Sequence, residues 1–503
     1  MDRLIGIETE YGIVVEGLSA ADWVNESMAV VRGYAGDAVK GWNYRGEDAR
    51  RDMRGFTVKS LNTNPDDAVF DTGVRHTLSH EEERSDRILA NGARFYNDHG
   101  HPEYATPECR RLFDLVAHDR AGERVVHEAA KLRALSTGRQ VTIYKNNTDF
   151  HGASYGTHEG YLMKREVDTA TLIGSLLAFF ASRSVFAGAG KAGVENASGS
   201  DADRFQLSQR ADFMAVEASV DTLHNRPLVN TRDEPHATPS KYRRLHVICG
   251  DANMSEVATA LKVGTTVLVL RLLEDGWVSP IKLRDPVRTA RNISRDLSFR
   301  LAYEQDGGSS IRALDIQRAY LTAAEHRFAG ADDETDWVLK EWRTVLDTLE
   351  TDFLKLADRV DWVAKYALLD EFRQDEGLPW NDSHIQSLDL AYHNVDRDEG
   401  LYYGLEQAGV MRKLVTDSRV DAAVSCAPED TRAYLRGLII KRFGPAVKNT
   451  GWNGIVFHHN GEDLLFDMNP LVEANVKVLN DEFSSAETLD QVVELLRRSS
   501  QNN

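Results

Sequence analysis

The stretch GIETEYGIVV, Gly6 to Val15, sets the strictest condition on what this chain can fold into. Apolar residues at Leu4, Ile5 and Ile7, and again at Ile13, Val14 and Val15, predict a strand from Leu4 to Val15, yet Glu8 and Glu10 fall inside it. Residues two apart on a strand share a face, so both carboxylates point the same way. Two acids side by side in a dry interior repel each other unless a cation joins them. The strand either turns that face to water or holds something positive there, and a hard divalent cation such as Mg2+ suits oxygen ligands of this kind.

A second acidic segment adds weight to the cation. FYNDHGHPEY reads as a strand and its continuation, with Tyr96 and Asp98 on one face and Glu103 just past a proline, so a phenol and two more carboxylates converge on the first pair. His99 reads as a core or loop histidine bonded to backbone rather than as a ligand. Cationic residues come from farther along: Arg210 in SQRADF, Arg232 and His236 in NTRDEPH, Arg432 and Arg436 in DTRAYLRG. The planar donors of arginine suit polyphosphate, although each could equally be a structural ion pair, as Arg232 could be with Asp233 or Glu234. Acids that hold metal and arginines that hold phosphate together imply ATP-dependent chemistry on a carboxylate or amide.

A chain of 503 residues exceeds one small core, which predicts a large domain and at least one smaller one. The net charge of -19, from 60 Lys+Arg against 79 Asp+Glu, argues against a nucleic-acid partner. The run RRDMR, Arg50 to Arg54, is short and mixed, and reads as a solvated loop. Three cysteines without metal-type spacing, Cys109, Cys249 and Cys426, indicate a reducing compartment and read as buried thiols. The N-terminus carries no secretory pattern, and the apolar stretch from Thr171 is broken by Arg183, so it reads as a buried helix of a cytoplasmic protein with no membrane partner. GAGKAG lacks the Gly-Lys-Ser/Thr ending of a phosphate loop.

Periodicity predicts helices over LVAHDRAGERVVHEAAKLRAL and VATALKVGTTVLVLRLLE and through most of Asp315 to Phe372. A polar, turn-rich insertion at about 35–80 reads as a mobile loop. Beyond about Ala427 the character changes, with a hairpin turning at Asn460 and Gly461, which places a domain boundary between 1–427 and 428–503.

The motifs GIETEYGI, NGARFYNDHGHPEYATPEC, YKNNTDFHGASYGTHEGYLM, FQLSQRADF, VNTRDEPHA, YRRLHVICGDAN and DTRAYLRG occur in that order along the chain. Together they resemble the Pup ligase and Pup deamidase/depupylase family, and the long insertion resembles the loop of its deamidase/depupylase branch. The resemblance implies an α+β fold, a glutamine synthetase-like antiparallel sheet with helices packed on one side, plus a small C-terminal domain. It implies ATP and Mg2+ as cofactors, with ADP and phosphate retained rather than consumed, and Pup and pupylated proteins as partners of a monomer. Carried over by position, Glu8, Glu10, Tyr96, Glu103 and His158 correspond to metal-site residues, and Arg210, Arg232, His236 and Arg432 to nucleotide contacts. Asp98 corresponds to the catalytic aspartate, acting as base or nucleophile. The implied reactions are cleavage of the Pup–lysine isopeptide bond and deamidation of a C-terminal Gln; the alternative branch, a ligase, would form that bond with ATP. Gly100 stands where the family pattern has Ala.

Overall fold

The computed structural model describes residues 3–501 apart from 20–21, 46, 63–77, 151, 196 and 474–475. The middle of the insertion expected to be mobile, 63–77, therefore lies outside the described residues.

The strands that position the site are β1 (Ile5–Glu10), β2 (Gly12–Val15), β3 (Ala38–Val39), β4 (Arg87–Leu89), β5 (Arg94–Asp98), β6 (His101–Ala105), β7 (Val141–Tyr144), β8 (Thr157–Lys164) and β9 (Tyr242–Val247). Seven of them form one sheet in the order β9-β8-β1-β6-β5-β4-β3, and every neighbouring pair runs antiparallel. Alternation decides which side meets the core. Ile5 and Ile7 of β1, Tyr161 and Met163 of β8, and Leu245 and Val247 of β9 bury themselves in one apolar cluster with the helices Leu112–Thr137, Thr169–Ser182 and Glu256–Glu274. Each such side chain contributes about 1.5–3 kcal/mol by leaving water. The opposite face carries the polar set, with Glu8, Glu10, Glu103 and His158 among it. Charges also fall on the core side: Glu159 lies in the core and is matched there by Arg183, whose two Nη atoms donate at 2.8 and 2.7 Å.

Four expectations need correction. The strand predicted from Leu4 to Val15 is two strands: after Glu10 the chain leaves the large sheet at the buried Tyr11, whose N–H donates to the Pro102 carbonyl at 2.9 Å, and β2 pairs instead with β7. FYNDHGHPEY is a hairpin rather than a strand and its continuation, because His99 and Gly100 form a two-residue turn between Asp98 and His101. Their φ values of +47° and +87° are what such a turn requires, and a Cβ at Gly100 would also press within 3.2 Å of Val24. RRDMR is not simply solvated: Asp52 is buried and accepts the Thr231 hydroxyl at 2.6 Å, while Met53 joins the main core. Of the three cysteines Cys109 is buried and Cys426 is exposed.

The insertion's first part is anchored. Trp42 packs edge-on to Trp452 at 5.1 Å, and the Tyr44 hydroxyl donates to Asp86 at 2.6 Å. After Ala427 a three-stranded sheet (Val447–Thr450, Gly454–His459, Glu462–Asp467) and the helices Arg432–Phe443, Val476–Ser484 and Leu489–Gln501 share a second apolar cluster around Ile455, Phe457 and Leu496. The hairpin turns at Asn460 and Gly461 as predicted. No helix among the described residues is long and apolar enough to cross a membrane.

Glu108 ties these C-terminal elements to the large sheet through Arg432 at 2.8 Å and through Arg436. Burial works to raise its carboxyl, but the two guanidinium groups win and hold it down at about 2. A carboxyl with a depressed folded-state value stabilises the fold above its unfolded value, and that stabilisation is lost as pH falls through the range from about 4.5 to about 2. The shift corresponds to on the order of 3 kcal/mol. Glu108→Gln is therefore expected to lower the thermal midpoint clearly at pH 7, with the gap to the wild type closing toward pH 3; a constant gap would show that charge is not what Glu108 contributes.

Candidate active site

Register alone assembles the polar face. Glu10 of β1 sits opposite Glu103 of β6, and Glu103 sits opposite Tyr96 of β5. On the other flank Glu8 sits opposite His158 of β8, and His246 of β9 pairs with Gly160 one step along. Two triads result: ligand atoms of Glu10, Asp98 and Glu103 lie within 4.8 Å of one another, as do those of Glu8, His158 and His246. Both border a cavity of about 740 Å³.

All the site residues carried over by position except Arg432 line that cavity, and Arg436 is held instead by Glu108 and the Gly92 carbonyl. Arg432 borders an adjoining, more apolar pocket that shares Glu8, His236, Arg244 and Trp452 with it. Its Nε reaches Glu108 and its Nη2 the His236 carbonyl at 2.8 Å, leaving Nη1 buried without a partner. Arg210 donates to Ser154 Oγ at 3.1 Å and to the carbonyls of Tyr155 and Ile248 at 2.7 and 2.9 Å, so it fixes the turn entering β8. That turn offers the Gly156 N–H to Glu10 Oε2 at 2.8 Å. Arg232 donates to the Val220 carbonyl and to Thr222 Oγ1; neither Asp233, which pairs with Arg165, nor Glu234 takes it as an ion-pair partner. His99 Nδ1 lies 2.7 Å from Asp98 Oδ1, where only the imidazole can donate to the ionised carboxylate, and His101 stacks on Tyr155 at 4.3 Å between ring centroids.

The electrostatics are those of a cation site. Burial and the charges of Asp98, Glu10 and Glu8 push the Glu103 carboxyl well above the ordinary range. Burial also raises Asp98, but the Arg84 guanidinium and His99 overcome it and hold Asp98 well below that range. Glu8 is likewise brought down against burial, by His158, Arg244 and His246. His246 is kept neutral by burial and by Arg244. Glu103 Oε2 and both ring nitrogens of His246 are buried with no hydrogen-bond partner. A carboxylate oxygen and one imidazole nitrogen with free lone pairs, each within 4.8 Å of ligand atoms of its triad, fit a divalent metal.

A family model described as Pup-ligase protein matches residues 3–456. The chain belongs to the Pup-ligase protein family. Within that family it is 44% identical over 480 residues to the depupylase of Acidothermus cellulolyticus, covering 92% of this chain and 93% of that protein. It is 41% identical over 500 residues to the Pup deamidase/depupylase of Mycolicibacterium smegmatis, covering 97% and 98%. Among solved structures, the Pup ligase PafA in complex with ADP superposes with a TM-score of 0.72 at 31% identity, over 85% of this chain and 96% of that one.

Sequence reasoning missed three residues that this member of the Pup-ligase protein family brings to the cavity. Arg244 and His246 alternate on the polar face of β9, and the pattern YRRLHV, with Leu245 and Val247 facing the core, carried that signal. Arg84 arrives from the short helix His80–Arg84 at the end of the insertion, where no periodicity marks it.

Proposed function

We propose that this chain hydrolyses the isopeptide bond between the C-terminal residue of Pup and a substrate lysine, and converts a C-terminal Gln of Pup to Glu, with ATP or ADP and Mg2+ bound in the sheet cavity. The observation that carries this reading is the near-full-length likeness, at 41–44% identity, to proteins named depupylase and Pup deamidase/depupylase. The nucleotide is supported by the likeness to an ADP-bound ligase, and the metal by the two triads and their unpartnered lone pairs. A cytoplasmic location belongs to the same reading, as does the division into a catalytic domain, 1–427, and a small C-terminal domain, 428–503, supported by the separate apolar cluster beyond Leu435.

In this account Glu10, Tyr96 and Glu103 on one flank, and Glu8 and His158 on the other with His246 added, hold Mg2+. The bound metal and nucleotide supply positive charge and phosphate oxygens at the reacting carbonyl. Arg210, Arg232 and Arg432, with His236, would meet the phosphates, their guanidinium donors matching phosphate oxygens. Asp98, ionised beside them, acts on the amide as base or nucleophile; water enters and either the lysine amine or ammonia leaves, with a carboxylate left on Pup. An amide is a poor electrophile, so the cationic surround that stabilises the tetrahedral oxyanion is as necessary as Asp98.

Incubating the chain with ATP and Mg2+ and two substrates, a Pup–protein isopeptide conjugate and Pup ending in Gln, tests this. Mass spectrometry should find free Pup and a Gln-to-Glu change of the C-terminus. Attachment of Pup to lysines, with no release, would instead mark a ligase.

Glu103 provides a second test. Its carboxyl is raised in the metal-free cavity and ionises when a cation joins it, so Mg2+ binding should release up to about one proton and tighten as pH rises. Calorimetric titration in buffers of different ionisation enthalpy measures this, and Glu103→Gln should remove it.

A further inference from the structure

Arg84 is held in place more firmly than a residue from a mobile loop would be. Its helix, His80–Arg84, opens with a reciprocal cap between Ser79 and Glu82. Its far end is clamped by Arg32, which donates to Ser85 Oγ at 2.9 Å and to the Glu82 carbonyl at 2.8 Å. Asn97, next to Asp98 on β5, donates to the Glu83 carbonyl at 3.2 Å, joining the helix to the strand that carries the aspartate. From this base the guanidinium of Arg84 lies 5.6 Å from the Tyr96 ring centroid and makes an ion pair with Asp98 Oδ1. His99 Nδ1 contacts the same oxygen at 2.7 Å, so the contacts of both groups fall on Oδ1.

We propose that Arg84 is a positioning residue: it holds Asp98 Oδ1 so that Oδ2 faces the reacting carbonyl, and thereby makes the end of the insertion part of the active site. The proposal rests on the assignment of Asp98 above. Misorienting a reacting group raises the barrier without weakening the binding of remote parts of the substrate, so the loss falls on kcat rather than KM. A charge-assisted contact of this kind corresponds to roughly 10- to 100-fold in rate.

The test compares Arg84→Met and Arg84→Lys with the full-length wild type, measuring kcat and KM for Pup release and the affinity for ADP with Mg2+. Arg84→Met should lose roughly 10- to 100-fold in kcat, with KM and ADP affinity within about threefold of wild type. Arg84→Lys, which keeps the cation, should recover much of the loss. An Arg84→Met variant with wild-type kcat would overturn the proposal, and so would equal losses in both variants accompanied by a lowered thermal midpoint, which mark a structural role. Crystals of wild type and Arg84→Met decide the point independently of the reaction: Asp98 should turn to another rotamer in the variant, and an unmoved carboxylate would overturn the proposal even if the chain released no Pup. Absence of Pup release by the wild type, by contrast, counts against the proposed function alone.

Discussion

Asp98→Asn should abolish Pup release, with a loss on the order of 10²- to 10⁴-fold, while affinity for ADP with Mg2+ changes by less than about threefold. The substitution keeps the shape of the side chain and an oxygen that can still accept from Arg84 and His99, but it removes the charge that a base or nucleophile needs. It also removes one of the charges that raise Glu103, so that carboxyl ionises more readily and offsets the charge lost from the Glu10, Asp98 and Glu103 triad. Parallel measurement of conjugate cleavage and nucleotide affinity separates the two effects. Near-wild-type cleavage would take Asp98 out of the mechanism.

Glu10→Gln should weaken Mg2+-dependent nucleotide binding by about tenfold or more, since altering even the groups that support metal ligands costs that much. The amide oxygen can still accept the Gly156 N–H, so the turn that Arg210 fixes should stay in place and the loss should report the missing charge. Titrating nucleotide with Mg2+ and again with a chelator isolates the metal-dependent part. An unchanged difference between the two would mean that Glu10 merely faces solvent in the cavity.

The sheet and most of the candidate site were legible in the sequence because a strand's period of two tells which residues share a face before any partner is known. Glu8 with Glu10, and Tyr96 with Asp98, could be paired in this way. What one strand cannot state is its register against another. The meeting of Glu10, Glu103 and Tyr96 became plain only once His99 and Gly100 turned the chain back, and His-Gly is a weaker turn signal than Asn-Gly at Asn460 and Gly461, which was read correctly. His246 was within reach of the same alternation and was passed over. Arg84 was not within reach: it lies on a five-residue helix after a polar insertion, and only the clamp from Arg32 and Asn97, distant in sequence, brings it to Asp98. The arginines read as phosphate contacts have structural partners for most of their donors, because burying a guanidinium with many donors unmet is costly; Arg432 Nη1 and Arg210 Nε stay without one.

The most direct measurement counts nucleotide against bonds. With the isopeptide conjugate in large excess over enzyme and ATP supplied at about one equivalent per enzyme, free Pup and every nucleotide species would be followed by mass spectrometry and chromatography. A hydrolase that retains its nucleotide should release many Pup molecules for each ATP supplied. Release that stops once the ATP is spent, or Pup joined to lysine at one ATP per bond, would contradict the account.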